Sequence, residues 1–433
     1  MTELPPAAWI APPAWINEPA TRAVLEALAA GGVEARFVGG VVRDLLLGLP
    51  QTGPGARTDI DLATPAPPER VRELLEARGI KVVPTGLAHG TVTAVVASPG
   101  DAPPRHFEIT TLRRDVETFG RRARVAFDAG WAEDAARRDF TINAIFLAPD
   151  GALYDPTGGL VDLAQRRVRF VGDPQTRIRE DVLRILRYYR FEARFGRGAG
   201  DAAARAACRA LAHLLPTLSP ERVLAELTRL LATAAPGGAL RMMAEDGVLA
   251  VILPEARRLE RLERLVAIEP GPDPLRRLAA LIETDAAGAL ALAERLRFSH
   301  AWRDRLAGLV PPWPLDPAAD DVRQRRALYR LGAARFADLV LLAGAEGRIA
   351  QKRLRGQLAL ARDWQPPRFP LNGRDVRALG IAPGPQVGAL LKAVEEWWEE
   401  ADFAPDRGQC LERLKAAAAQ PQSAPDPRAL PRG

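Results

Sequence analysis

The feature that most limits what this chain can fold into is a change of periodicity near residue 177. Between residue 36 and about residue 170, short β-branched runs alternate with turn signals, as in Phe37-Val38, Thr58 to Ala63, Gly90 to Val96 and His106 to Leu112. This predicts a mixed α/β unit. Beyond Arg177 the strand signals fade, and stretches rich in Leu, Ala, Arg and Glu keep helical spacing to about residue 365. The expected fold class is α+β, a mixed sheet with helices followed by an all-α remainder.

Length agrees with a divided chain, because 433 residues exceed the roughly 250–300 at which one core stops growing. Gly- and Pro-rich breaks at 196–200, 236–238, 269–274, 311–317 and 366–370 separate helical stretches. The expected divisions are an N-terminal extension (1–22), a head (23–170), a neck (171–268), a body (269–368) and a tail (369–415). The end, 416–433, joins an Ala run to Gln, Pro and Ser; it buries little and is expected to be disordered.

Apolar content of 47% and charged content of 26% suit an ordinary soluble protein, and no apolar run approaches the ~20 residues of a membrane span. The first residues lack the basic-then-apolar pattern of a signal peptide, so a cytoplasmic location is expected. Cys208 and Cys410 stand far apart without CxxC spacing, which argues against a disulfide framework or a zinc site. A net charge of +6 with a pI near 9.8 admits a polyanionic partner, for which arginine is well suited.

The chemistry concentrates in the first half. Phe37-Val38-Gly39-Gly40 reads as a strand running into a double glycine, and Val41 to Leu47 as the helix that follows, with Arg43 and Asp44 on it. Paired glycines let backbone N–H groups approach a phosphate, and a plain strand-to-helix turn uses the same residues. In Thr58-Asp59-Ile60-Asp61-Leu62, strand alternation turns both aspartates to one face and Ile60 and Leu62 to the other. Two converging carboxylates suit Mg²⁺, which takes one or two protein carboxylates plus substrate phosphates. In His106-Phe107-Glu108-Ile109, Glu108 points away from its apolar neighbours, either completing the metal site or standing exposed on its strand.

Gly39-Gly40-x-x-Arg43-Asp44 followed by Asp59-x-Asp61 resembles the polymerase β nucleotidyltransferase superfamily, in the form of class II CCA-adding enzymes and bacterial poly(A) polymerases. Arg137-Arg138-Asp139-Phe140-Thr141-Ile142-Asn143 resembles the family's ribose-recognition motif, and Asp155-Pro156-x-Gly158-Gly159-x-x-Asp162 resembles its hinge between head and neck. Arg138 is suited to phosphate, and Asp139 and Asn143 to ribose hydroxyls; a structural Arg138–Asp139 ion pair is the alternative. The resemblance implies a polymerase β-like head with catalytic residues Asp59, Asp61 and Glu108, Mg²⁺ as cofactor, and tRNA, CTP and ATP as partners.

Ile178 to Arg187 reads as one helix carrying Glu180, Asp181 and Arg184 on a shared face, with Glu180 orienting Arg184 at i,i+4 and Asp181 beside it at i,i+3. Cytosine and adenine offer an amino donor next to a ring-nitrogen acceptor, which complements Asp181 plus Arg184; uracil and guanine present the reverse. This matches the family's Glu-Asp-x-x-Arg motif, an amino-acid template. Pro220 to Leu227 resembles the family's bracing motif, which implies structural roles for Arg222 and Glu226.

Arg187 extends the nucleotide-binding set, and Arg190 and Arg194 are placed against the backbone of an RNA stem. Residues 86–92 look like the CCA-adding form, residues 113–124 resemble a flexible loop aiding the switch from CTP to ATP, and residues 371–388 resemble the tail element. The implied function is template-independent addition of CCA to tRNA 3′ ends. The alternatives are a poly(A) polymerase, a partial CC- or A-adding enzyme, or, from another class, a tRNA-binding protein with a degenerate head.

Overall fold

The computed structural model describes residues 5–50, 59–86, 90–98, 103–119, 122–127 and 129–419. Contacts divide the chain into two compact units, Met1–Arg257 and Arg258–Gly433.

In the first unit, β1 (Ala8–Trp9), β2 (Arg36–Val38), β3 (Asp59–Thr64), β4 (Lys81–Gly86), β5 (Thr91–Val96) and β6 (Arg105–Thr111) belong to the main sheet. A separate hairpin pairs β7 (Arg114–Phe119) with β8 (Arg122–Ala126), and β9 (Phe146–Leu147) and β10 (Ala152–Tyr154) return to the main sheet. Its order among the described residues is β1-β10-β9-β2-β3-β6-β5-β4. All pairings are antiparallel except β3 with β6.

That parallel pair is the backbone of the site. Its register sets Asp59 opposite His106 and Asp61 opposite Glu108. Along β6, His106 and Glu108 are exposed while Phe107 and Ile109 are buried, the two-residue alternation of a sheet with one face covered. The cover is α3 (Pro68–Glu76), whose Val71 and Leu75 are fully buried and which packs on β4, β5 and β6 and against α1 (Pro19–Ala30). The acids therefore lie on the face that α3 leaves open.

Two expected boundaries change. The described part of the expected extension, residues 5–22, belongs to the head: β1 pairs with β10 at the sheet edge, Trp15 and Ile16 are buried, and α1 begins at Pro19. The C-terminal helix Arg407–Ala419 runs past 416, and residues 420–433 lie outside those described.

After the sheet come α4 (Trp131–Ala136), a 3-10 turn over Thr141–Asn143 and α5 (Gly159–Ala164). Asp155 caps α5 by accepting from the N–H groups of Gly159 and Leu160 at 2.7 and 2.8 Å, so the hinge motif builds a helix start. The neck helices follow: α6 (Pro174–Glu180), α7 (Arg184–Phe195), α8 (Ala202–Leu211) and α9 (Pro220–Leu231). Phe140 and Phe170 pack at a centroid distance of 5.0 Å, and Phe191 of α7 meets Phe140 at 4.9 Å, so an aromatic cluster joins neck to head.

The second unit is helical, from Leu259–Ile268 to Arg407–Ala419. Leu259–Ile268, assigned to the neck from sequence, packs here. Glu269 is held by Arg276 and Arg277 at 2.6 and 2.5 Å, and Arg276 also reaches Asp338 at 2.9 Å, a satisfied buried network. In the tail, Asn372 accepts from Arg374 N–H at 2.9 Å while Asp375 accepts from Asn372 N–H at 2.8 Å. That is a capping box, which starts the short helix Gly373–Arg377.

Candidate active site

β2 runs into Gly39, whose φ of +76° is open to glycine and strained for other residues. A Cβ there would lie 3.4 Å from Asp61 Oδ2 and 3.9 Å from Arg138 Nη1, so the glycine turn, the β3 carboxylate and the ribose-motif arginine meet at one point. Arg138 is aimed by Asp134, which is buried and accepts from it at 2.9 Å. Burial raises the Asp134 pKa, and Arg138 with Arg137 overcomes this to hold it below the usual range.

A polar chain runs inward from there. Arg43, buried on α2 (Gly40–Leu46), donates to Asp44 Oδ1 and, at 2.6 Å, to Asn143 Oδ1. Asn143 donates to Asp139 Oδ1 at 2.9 Å, and Asp139 Oδ2 accepts from Arg187 Nε at 2.9 Å. Burial pushes the Asp139 pKa up, but Arg187 and the Asn143 and Phe140 N–H donors outweigh it and hold the carboxyl ionised. Burial likewise opposes the charge on Arg187, and Asp139 more than restores it. The Arg138–Asp139 pair considered from sequence does not form: each takes another partner.

These groups line a cavity of about 860 Å³. Gly39, Gly40, Arg43, Asp61, Arg138, Asp139 and Asn143 come from the head, and Arg187, Arg190, Phe191, Arg194, Phe195 and Arg229 from the neck. Glu108 is exposed beside Asp61 in register and is not among the lining residues. The side chains of Asp59 and Arg122, and residues 87–89 and 120–121, lie outside those described. Sequence reasoning missed Phe191, Phe195 and Arg229. A signal for Arg229 existed, since Arg222, Glu226 and Arg229 recur at i, i+4 and i+7 on α9.

The template segment departs from expectation. Residues 178–187 are not one helix: α6 stops at Glu180, Asp181 is extended at φ −148° and ψ 104°, and α7 starts at Arg184. Glu180 does accept from Arg184, at 2.6 Å, as its spacing predicted. Asp181 and Arg184 stay adjacent, the Arg184 N–H donating to the Asp181 carbonyl at 3.0 Å, but their side chains take different partners. Asp181 is gripped by Arg222 through both oxygens at 2.9 Å, while Arg184 donates to the carbonyls of Arg177 and Arg137 at 2.7 and 3.3 Å. Glu180 and Asp181 line a separate cavity of about 350 Å³ with Arg179, Ser219 and Arg222. Glu226 accepts from Arg190 of α7 at 2.5 Å and is 2% exposed, so it braces α7 against α9.

An α+β head with an acid at a glycine turn and a basic cavity beneath it defines a nucleotidyltransferase of the poly(A) polymerase type. The family described as poly A polymerase head domain matches residues 35–169, and that described as probable RNA and SrmB-binding site of polymerase A matches 201–259. The mouse protein CCA tRNA nucleotidyltransferase 1, mitochondrial, is 34% identical over 91% of this chain and 89% of its own length. The CCA-adding enzyme of Leuconostoc citreum is 32% identical over 86% of this chain and 89% of its own. A crystal structure of the Bacillus stearothermophilus CCA-adding enzyme in complex with CTP aligns over 93% of this chain and 98% of that one, at 28% identity and a TM-score of 0.74. The chain belongs to the family of CCA-adding tRNA nucleotidyltransferases. Among the described residues no helix is long and apolar enough to cross a membrane.

Proposed function

We propose that this chain adds C, C and A to tRNA 3′ ends from CTP and ATP, with Asp59 and Asp61 as the metal-holding acids. The observation that carries the reading is the convergence of Asp61, Gly39 and Arg138 at the mouth of an arginine-lined cavity.

The donor set suits Mg²⁺. Asp61 is a hard carboxylate set against a backbone that only glycine permits, Asp59 is two residues back on the same strand, and Glu108 is its register neighbour. When bound, Mg²⁺ offsets triphosphate charge and acidifies the attacking hydroxyl. The protein supplies the rest. Arg138 and Arg187 hold phosphate oxygens, each aimed by a buried carboxylate, and Asp139 and Asn143 face the ribose. Arg190 and Arg194 take the RNA backbone. Glu108 flanks the acids and adds negative charge that favours a cation there.

Base choice rests on Asp181 and Arg184, and both must exchange partners to read a base: Asp181 from Arg222, and Arg184 from the two carbonyls. The exchange makes selection conditional, because a base that cannot replace both sets of bonds leaves half-buried charge unpaired. Both cysteines are free and buried, which suits the reducing cytoplasm.

The test is incubation of purified protein with CTP, ATP, Mg²⁺ and tRNA ending at the discriminator base. Incorporation of two C and one A supports the reading. An untrimmed A tract would instead make it a poly(A) polymerase, and tight binding without incorporation a binding protein.

A further inference from the structure

The cavity carries more positive charge than its inner groups need, and the surplus is on the neck wall. Arg138 and Arg187 each answer an acid of the head, the buried Asp134, which also holds Arg137, and the largely covered Asp139. Two further carboxylates, Glu226 on the neck and Asp44 on the head, each hold two guanidiniums. Glu226 accepts from Arg190 through Oε2 at 2.5 Å and from Arg229 through Oε1 at 3.1 Å, and Asp44 pairs with Arg43 at 2.6 Å and with Arg194 at 3.4 Å. Four cations against two anions leave two positive charges over.

Exposure locates that surplus. The Arg190 and Arg43 side chains are 14% and 4% exposed, whereas those of Arg229 and Arg194 are 63% and 47% exposed. Arg229 lies on the last turn of α9, and the small residues that follow it, Ala232, Thr233 and Ala234, leave the cavity wall open there. Glu226 thus fixes one edge of the Arg229 guanidinium and leaves the rest solvent-facing, as an anion site requires.

A nucleoside triphosphate does not call for this second set. Its phosphates belong beside Asp61, Arg138 and Arg187. The RNA strand must also place its terminal 3′-hydroxyl at Asp61, so the phosphodiesters behind that nucleotide need cations of their own. Each carries a single charge, which a singly tethered, exposed arginine matches.

We propose that Arg229, with Arg194, grips the phosphodiester immediately behind the 3′-terminal nucleotide of the acceptor strand. This rests on the function proposed above. Arg229 is then a strand-positioning residue that sets where the 3′ end stops, and it does not contact the incoming nucleotide.

The test uses full-length protein and an RNA acceptor-stem hairpin lacking CCA, unmodified or with one methylphosphonate at its last phosphodiester. Arg229→Gln is expected to weaken hairpin binding about threefold to tenfold and to shallow the log Kd against log salt slope by roughly 0.7–0.9. The KM for CTP is expected to stay within about twofold, and Arg229→Lys to recover most of the affinity. The decisive reading is the double substitution: the methylphosphonate weakens wild type and costs Arg229→Gln distinctly less, the remainder being the Arg194 contact. Unchanged hairpin affinity, a shift in CTP KM instead, or multiplying losses would overturn the proposal. Wild type that adds no nucleotide to the unmodified hairpin would refute the underlying function and is read separately.

Discussion

At the scale of single residues, the site is governed by how closely Asp61 approaches backbone. Its Oδ2 would touch a Gly39 Cβ at 3.4 Å, and Gly39 is held at φ +76°. Gly39→Ala therefore combines about 1–2 kcal/mol of strain at positive φ with an apolar methyl set against the carboxylate. Incorporation is expected to fall by at least roughly tenfold for a melting shift of only a few degrees; an active variant would detach the turn from the chemistry. Asp61→Asn keeps shape and removes charge. Labelled-nucleotide incorporation should vanish while tRNA affinity stays within about threefold, and surviving activity would move the metal elsewhere. Arg184→Ala should retain transfer but lose preference for C and A over U and G, since the discriminating donor is gone; an unchanged preference in single-nucleotide incorporation would remove Arg184 from base choice.

At the scale of elements, α7 carries a buried acid outside the site. Glu192 is 5% exposed, its Oε1 finds no partner among the described residues, and burial lifts its pKa to about 7 despite the hydrogen bond from Tyr188. Between its ordinary value of 4.5 and about 7 the folded chain keeps a proton that the unfolded chain has released. Stability must then fall as pH rises through that window, by on the order of 2–3 kcal/mol, and level off above it. Glu192→Gln should remove that decline in melting temperature, and parallel profiles for variant and wild type would disprove it. The same stretch shows what a sequence conceals. The alternation of Phe107, Glu108 and Ile109 and the turn at Gly39-Gly40 were legible because local sterics and one buried face dictate them. The break at Asp181 was not, because the apolar spacing of residues 178–187 fits a helix and no Gly or Pro interrupts it. It is made by a partner 41 residues away, Arg222, together with a local bond from the Leu183 N–H at 3.2 Å. β1 escaped for a similar reason: two residues carry no period, and their pairing with β10 joins distant segments.

At the scale of the whole molecule, charge placement outweighs charge total. The chain's +6 is modest for 433 residues, yet six arginines and two aspartates line one cavity of the first unit. Arg187, Arg138 and Arg190 are each tied to a carboxylate, so they are held in place before any ligand arrives. A preorganised basic cavity binds RNA largely by releasing its counterions, whereas dispersed surface charge would give weak and unoriented attraction. If the neck wall alone neutralises about three phosphates, tRNA affinity should drop roughly 40-fold between 50 and 200 mM salt, following a slope of about −0.9 per phosphate. Measuring Kd across that range by filter binding checks the claim. A nearly flat profile would mean that the cavity's arginines do not carry the RNA backbone.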